Sequence, residues 1–82
     1  MDTGLDFGEA LEWLRAGERV SRAGWNGKGM SLLRADGGTF RAGGFVMGEL
    51  EPHIVMHTAD GKFVPWLASQ SDVLATDWMV VR

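Results

Sequence analysis

In the stretch Arg22-Ala23-Gly24-Trp25-Asn26-Gly27-Lys28-Gly29-Met30, an indole, a side-chain amide and a cation stand among three glycines. Glycines let backbone N–H groups approach a ligand closely and admit φ > 0, the means by which loops cradle anions. An exposed Trp offers a π-face to a base, worth roughly 1–3 kcal/mol in nucleotide sites. Together these types point to recognition of a nucleotide-like molecule. Trp25 would be a stacking platform, Asn26 a reader of a base edge or ribose, Gly27 a point of close backbone approach, and Lys28 a phosphate contact. The loop is not a P-loop, because the spacing to Gly-Lys is too short and no Ser or Thr follows Lys28; nor is it a dinucleotide fingerprint. It contains no nucleophile–base pair. The same residues also fit a tight turn whose Trp plugs the core.

A second group lies at Trp66, Ser69, Gln70 and Asp72. Ser69 with Asp72 reads as a capping box that starts a short helix running through Ala75. A helix start has free N–H groups and a positive dipole end, a natural phosphate site. Trp66 just upstream is placed to stack, and Ser69 and Gln70 to hydrogen-bond ribose or phosphate. A capped helix with a core Trp is the competing reading. His53 and His57 share one face of a strand, but no third ligand accompanies them and no Glu adjoins the first His. They read as satisfied polar residues, and neither a metal nor a cofactor is expected. Asp60 is explained by a turn, Asp77-Trp78 by the start of the last strand, and no spacing signals a carboxylate dyad for acid–base catalysis.

Which elements would position these groups follows from periodicity. Asp6 and Glu9 form a capping box, Gly17 supplies the stop, and Phe7, Ala10, Leu11 and Leu14 make one helix face. Trp13 lies off that stripe, as rim packing or a contact between copies. Glu18–Arg22 and Met30–Arg34 read as strands. Residues 36–48 carry five glycines around Phe40, Phe45, Val46 and Met47, and read as a loop or loose hairpin, the most mobile part of the chain. His53–Thr58 is the clearest strand. Asp60-Gly61 predicts a two-residue type I′ turn, which places Ala59 opposite Lys62, Thr58 opposite Phe63 and His57 opposite Val64. Pro65 marks a strand end or an edge, and residues 78–82 form a final strand. The expected fold class is α+β: a small antiparallel sheet of about five strands with one longer N-terminal helix and one short C-terminal helix. The longer helix would cover one sheet face, and the bare face is a candidate surface for self-association.

Eighty-two residues predict one domain, spanning 1–82, with a marginal core. There is no cysteine to staple it. Four Trp and four Phe in so short a chain favour a homo-oligomer, since aromatics are enriched at interfaces. A net charge of −3 argues against duplex nucleic acid, which needs a basic face. A small nucleotide needs only a few cations and amides. No secretory signal or membrane-length apolar run is visible, so a cytoplasmic location is expected.

Several segments occur in one order and spacing: Phe7-Gly8-Glu9-Ala10-Leu11, the glycine–tryptophan loop, Thr58-Ala59-Asp60-Gly61-Lys62, Val64 through Asp72, and Ala75-Thr76-Asp77-Trp78. This set resembles a small phage-borne family, long catalogued as a domain of unknown function and associated with the second type of Thoeris anti-defence protein. The resemblance spans most of the chain and fails only across about residues 34–50. It implies a non-enzymatic sponge that binds cyclic ADP-ribose-type immune signals such as glycocyclic ADP-ribose, and in some members cyclic oligonucleotides, without cleaving them. It implies a homotetramer with pockets between subunits, acting in the host bacterial cytosol during infection or from a prophage. Phe7 would correspond to a family aromatic near the base, and Trp25, Asn26, Gly27, Lys28, Trp66, Ser69, Gln70 and Asp72 would complete the site. Arg34 and Arg41 are candidates for a second phosphate contact. The rival readings are a small phosphodiesterase or ADP-ribose-linkage hydrolase using His53, His57 and Asp60, and a protein-binding module whose Trp residues form an interface.

Overall fold

A computed structural model describes residues 2–82, except the side chains of residues 26–28. Helix α1 (Phe7–Arg15) starts at the capping box: the Asp6 side chain accepts from the Glu9 N–H at 2.8 Å, and the Glu9 carboxylate accepts from the Asp6 N–H at 3.0 Å. Its apolar stripe buries Ala10 and Leu14. Gly17, in the left-handed region, carries the chain away from the helix.

The strands are β1 (Arg19–Arg22), β2 (Ser31–Ala35), β3 (Gly38–Ala42), β4 (Phe45–Leu50), β5 (His53–His57), β6 (Phe63–Pro65) and β7 (Trp78–Val81). A 3₁₀ segment, Ala23–Lys28, follows β1, and a five-residue helix α2 (Gln70–Leu74) precedes β7. Five strands form an antiparallel sheet in the order β6-β5-β2-β1-β7. The architecture is therefore α+β, as the periodicity predicts.

Cross-strand partners in an antiparallel sheet point to the same face. The register aligns Val80, Val20, Leu32, Met56 and Val64 in one row across all five strands. Helix α1 lies over this row, and the buried core is Leu5, Ala10, Leu14, Val20, Leu32, Trp78 and Val80. The opposite face presents Met79, Ser31, His57 and Phe63. One edge is blunted by Pro65 in β6. The other is met by the N-terminal segment, where Leu5 and Trp78 exchange backbone hydrogen bonds of 2.9 and 3.1 Å. Arg82 and Asp2 form an ion pair at 2.9 Å, and the Arg82 guanidinium lies 5.4 Å from the centroid of the Trp13 ring. Trp13 thus serves as rim packing.

One sequence expectation needs correction. The turn at Asp60-Gly61 is not a two-residue type I′ turn. His57 pairs with Phe63 and Met56 with Val64, one residue out of the expected register. A type I′ turn requires φ > 0 at both central residues, and among the described residues only glycines adopt it. Instead Gly61 N–H bonds back to Thr58, and Thr58 pairs with Lys62 around a three-residue loop. The Thr58 hydroxyl reinforces it, donating to the Asp60 carboxylate and accepting from the Lys62 N–H.

Of the two forms expected for the glycine-rich segment, the structure shows the hairpin. It forms a separate two-stranded sheet, β3-β4. Its two-residue turn is Gly43-Gly44, with φ of 59° and 82°. This is where the chain makes the glycine-dependent hairpin turn that the sequence reading placed at Asp60-Gly61.

Candidate functional site

Trp78 is fully buried at the start of β7, and its indole N–H donates to the Asp72 carbonyl at 3.0 Å. Three half-buried aromatics from distant parts of the chain surround it. Phe7 comes from the first turn of α1, with its centroid 5.4 Å from Trp78. Trp25 comes from the 3₁₀ segment, at 5.4 Å and nearly perpendicular. Trp66 follows β6, at 6.1 Å and 87°. Trp66 in turn lies 6.2 Å from Phe7 and 6.3 Å from Trp25. These are the tilted and edge-to-face geometries that aromatic quadrupoles favour, each worth about 0.5–1.5 kcal/mol beyond burial. The result is a packed aromatic platform with one ring sealed inside and three partly open to solvent.

The backbone explains how these rings meet. The Trp66 N–H bonds to the Ile54 carbonyl at 3.1 Å, extending the β5–β6 ladder past Pro65. The Ala23 N–H bonds to the Asp77 carbonyl at 3.0 Å, fixing the start of the 3₁₀ segment to the start of β7.

Arg22 fastens the platform to α2. Its Nε donates to Asp77 at 2.9 Å and its Nη1 to Asp72 at 3.0 Å. The Asp77 hydrogen bond, then that of Asp72, raises the Arg22 guanidinium above its ordinary pKa. Burial pushes the Asp72 carboxyl up, but hydrogen bonds from the Ser69 backbone, the Ser69 hydroxyl and Arg22 outweigh it and hold the group below its usual value. Asp72 also closes the capping box of α2. Its carboxylate accepts from the Ser69 N–H at 2.9 Å, while the Ser69 hydroxyl accepts from the Asp72 N–H at 3.1 Å. Neither that N–H nor the Ser69 N–H is left free, and a carboxylate sits on the helix start. In this geometry Asp72 anchors α2 beneath the platform.

Beside the capping box lies a shallow cavity of about 270 Å³, lined by Ala68, Ser69, Gln70, Val73 and Leu74. A second cleft, about 240 Å³, gathers Arg15, Arg34 and His53 over Leu14 and Ile54. The structure thus brings Phe7, Trp25 and Trp66 into one cluster around Trp78, to which Asp72 is tied by its carbonyl, while Ser69 and Gln70 line the cavity beside the capping box. The expected contacts of Asn26, Gly27 and Lys28 involve side chains outside the described residues. Arg34 lies in the second cleft, and Arg41 stands apart on the β3–β4 hairpin.

Sequence reasoning missed Trp78 as the centre of the cluster and Arg22 as its clamp. Asp77 and Trp78 do more than begin a strand. An arginine preceding the loop and two aspartates flanking a short helix were the available signal, but partners 50 and 55 residues apart leave no local spacing to read.

His57 packs against Phe63 with the rings tilted by 46° and centroids 5.0 Å apart, and the His53 Nδ1 lies 3.0 Å from the Glu51 carbonyl. Asp60 is bound to Thr58 and Lys62, which hold its carboxyl below the ordinary range, the Thr58 bond most. The two histidines are four positions apart along β5, roughly 13 Å. Among the described residues no three His, Cys, Asp or Glu side chains gather as metal ligands, and no helix is long and apolar enough to cross a membrane.

Comparison with known proteins identifies the lineage of this arrangement. The profile of the Thoeris anti-defense 2-like (Tad2-like) domain matches residues 5–81. A protein of Bacillus phage SP01 named "Thoeris anti-defense 2" is 47% identical over 88 aligned residues, covering 99% of each chain. The chain belongs to the Thoeris anti-defense 2-like family.

Proposed function

We propose that this protein counters the Thoeris defence of bacteria as a non-enzymatic sponge, sequestering a cyclic ADP-ribose-type signal such as glycocyclic ADP-ribose. The family name and that of the SP01 relative support the anti-defence role. The observation that carries the ligand class is the platform of Phe7, Trp25 and Trp66, three partly open rings held rigid by Trp78. Such a surface stacks a nucleobase at little entropic cost, because the rings are already ordered. Trp25 and Trp66 supply the stacking faces, Phe7 flanks the base, and Gln70, with the Ser69 lone pair that the capping box leaves, hydrogen-bonds ribose hydroxyls. In this proposal Asn26 reads a base edge or ribose, Gly27 allows close backbone approach and Lys28 contacts phosphate. Cyclic oligonucleotides present the same combination of bases and phosphates.

In this reading the protein is a homotetramer in the host cytoplasm, and neighbouring subunits complete the pocket. On this proposal the site holds the nucleotide without cleaving it, and the residues of the rival hydrolase reading, His53, His57 and Asp60, lie on β5 and its turn, outside the aromatic cluster. Inhibition is then mass action. A tight site with slow release keeps free signal below the level that activates the defence effector.

The test is to incubate protein with glycocyclic ADP-ribose, remove it by filtration, heat the retained fraction, and identify the released nucleotide by mass spectrometry. Stoichiometric depletion with recovery of intact ligand is expected. Sub-stoichiometric, time-dependent conversion would show an enzyme instead, and undiminished ligand in the filtrate would remove this signal as the target.

A further inference from the structure

The β3–β4 hairpin is built to be covered, and among the described residues nothing covers it. Its register pairs Gly38 with Leu50, Phe40 with Gly48 and Ala42 with Phe45, so Phe40, Ala42, Phe45 and Leu50 share one face. Thr39, Arg41, Val46 and Glu49 share the other. That alternation suits a strand pair with one face in a core. Yet every residue of both strands is exposed, and Phe45 at the tip is 72% accessible. A lone two-stranded hairpin is marginal in water.

The dimensions of the chain carry the same message. It exposes 5497 Å², where a compact monomer of its mass exposes roughly 4,900 Å². Its radius of gyration is 13.8 Å, against roughly 12 Å for a compact chain of this length. The excess area, roughly 600 Å², approaches the ~800 Å² that each partner buries in a standard interface.

A complementary surface lies elsewhere on the same molecule. The cavity beside α2 has an apolar lining of Ala68, Val73 and Leu74, and Leu74 and neighbouring Leu67 are 78% and 92% accessible. The hairpin leaves the sheet at Ala35 and His53, the end occupied by Arg19 and Val81. Helix α2 is anchored through Asp72 to Arg22, at the other end of β1. The hairpin and the α2 seat therefore belong to opposite ends of the sheet, and their union joins two molecules.

We infer that the β3–β4 hairpin of one copy, led by Phe45, docks its apolar face on the α2 cavity of a second copy. This deepens the oligomer in the reading above and rests on it. The contact is heterologous, knob on one copy and seat on the other, so it closes a ring or is reciprocated within a symmetric assembly.

Sedimentation equilibrium of the wild type, Phe45→Asp, Leu74→Asp and an equimolar mixture of the two variants tests it. Both substitutions fall at exposed positions, and circular dichroism checks that each variant stays folded. Each variant alone is expected to self-associate about tenfold or more weakly than wild type. The mixture regains association, because the Leu74→Asp chain keeps its hairpin and the Phe45→Asp chain keeps its seat. A mixture that stays apart, or a Leu74→Asp chain that assembles like wild type, overturns the docking while leaving the oligomer in place. A monomeric wild type overturns both. As a second route, replacing residues 38–50 with a short glycine linker should reproduce the Phe45→Asp mass, and an unchanged wild-type mass would contradict the inference.

Discussion

The five-stranded sheet and the β3–β4 hairpin use the same device to opposite ends. Both are antiparallel and both alternate side chains between two faces. In the sheet the row Val80, Val20, Leu32, Met56 and Val64 lies under α1, and its central members are fully buried. In the hairpin the corresponding row of Phe40, Ala42, Phe45 and Leu50 faces solvent. The sheet completes its core within one chain, whereas the hairpin has its apolar face and lacks a second layer. A domain of this size has one helix long enough to serve as a layer, and α1 is already used. The contrast separates the apolar residues buried in the core of the chain from those left exposed on it.

That contrast can be broken most forcefully at Trp78. Trp78→Ala removes a fully buried ring and the hydrogen bond to Asp72, and a loss of about 3–5 kcal/mol is expected. For a small domain this is enough to abolish cooperative unfolding in a denaturant titration. Phe45→Ser, an aromatic removed from the hairpin, should change the unfolding free energy of the dissociated chain by less than about 0.5 kcal/mol. Equal losses at the two positions would erase the distinction.

Between these extremes, Arg22→Ala leaves Asp72 and Asp77 without their common partner. Because the cluster is partly exposed, a loss of about 1–2 kcal/mol is expected rather than the full cost of a buried charge. Thermal unfolding followed by near-ultraviolet circular dichroism reports it, as the Trp78 environment loosens with α2. Acid titration sharpens the same point. The folded-state carboxyl of Asp72 is held below its ordinary value of 3.8, so its contribution is complete well above that pH. It should be lost as the pH falls below about 4 and through the folded-state value. In Asp72→Asn this part of the acid dependence should disappear; an unchanged acid limb would mean that other carboxylates govern it.

How much of this was legible in the sequence depends on how local each cause is. The capping boxes at Asp6/Glu9 and Ser69/Asp72 need only a three-residue spacing, and both formed as read. The strands of the main sheet were visible from their apolar runs. The register at Asp60-Gly61 was not, because Thr58 contributes its hydroxyl to the turn and converts a two-residue loop into one of three. Five glycines made residues 36–48 look irregular, although Gly43 and Gly44 sit where a hairpin needs positive φ and alternation continues on either side. For the site, the residue types were legible and their assembly was not. Phe7, Trp25 and Trp66 could be named one by one, but their meeting around Trp78 depends on sheet order and on the Arg22 clamp, neither of which leaves a local pattern.

The aromatic platform is the proposed seat of the signalling nucleotide. Isothermal titration of glycocyclic ADP-ribose into wild type and Trp25→Ala tests it most directly. Trp25 is only half-buried, so the variant should remain folded. The account expects saturable binding by wild type and an affinity lower by about 1–3 kcal/mol, roughly 5- to 150-fold, in the variant. Equal affinities in the two proteins, with both folded, would contradict it.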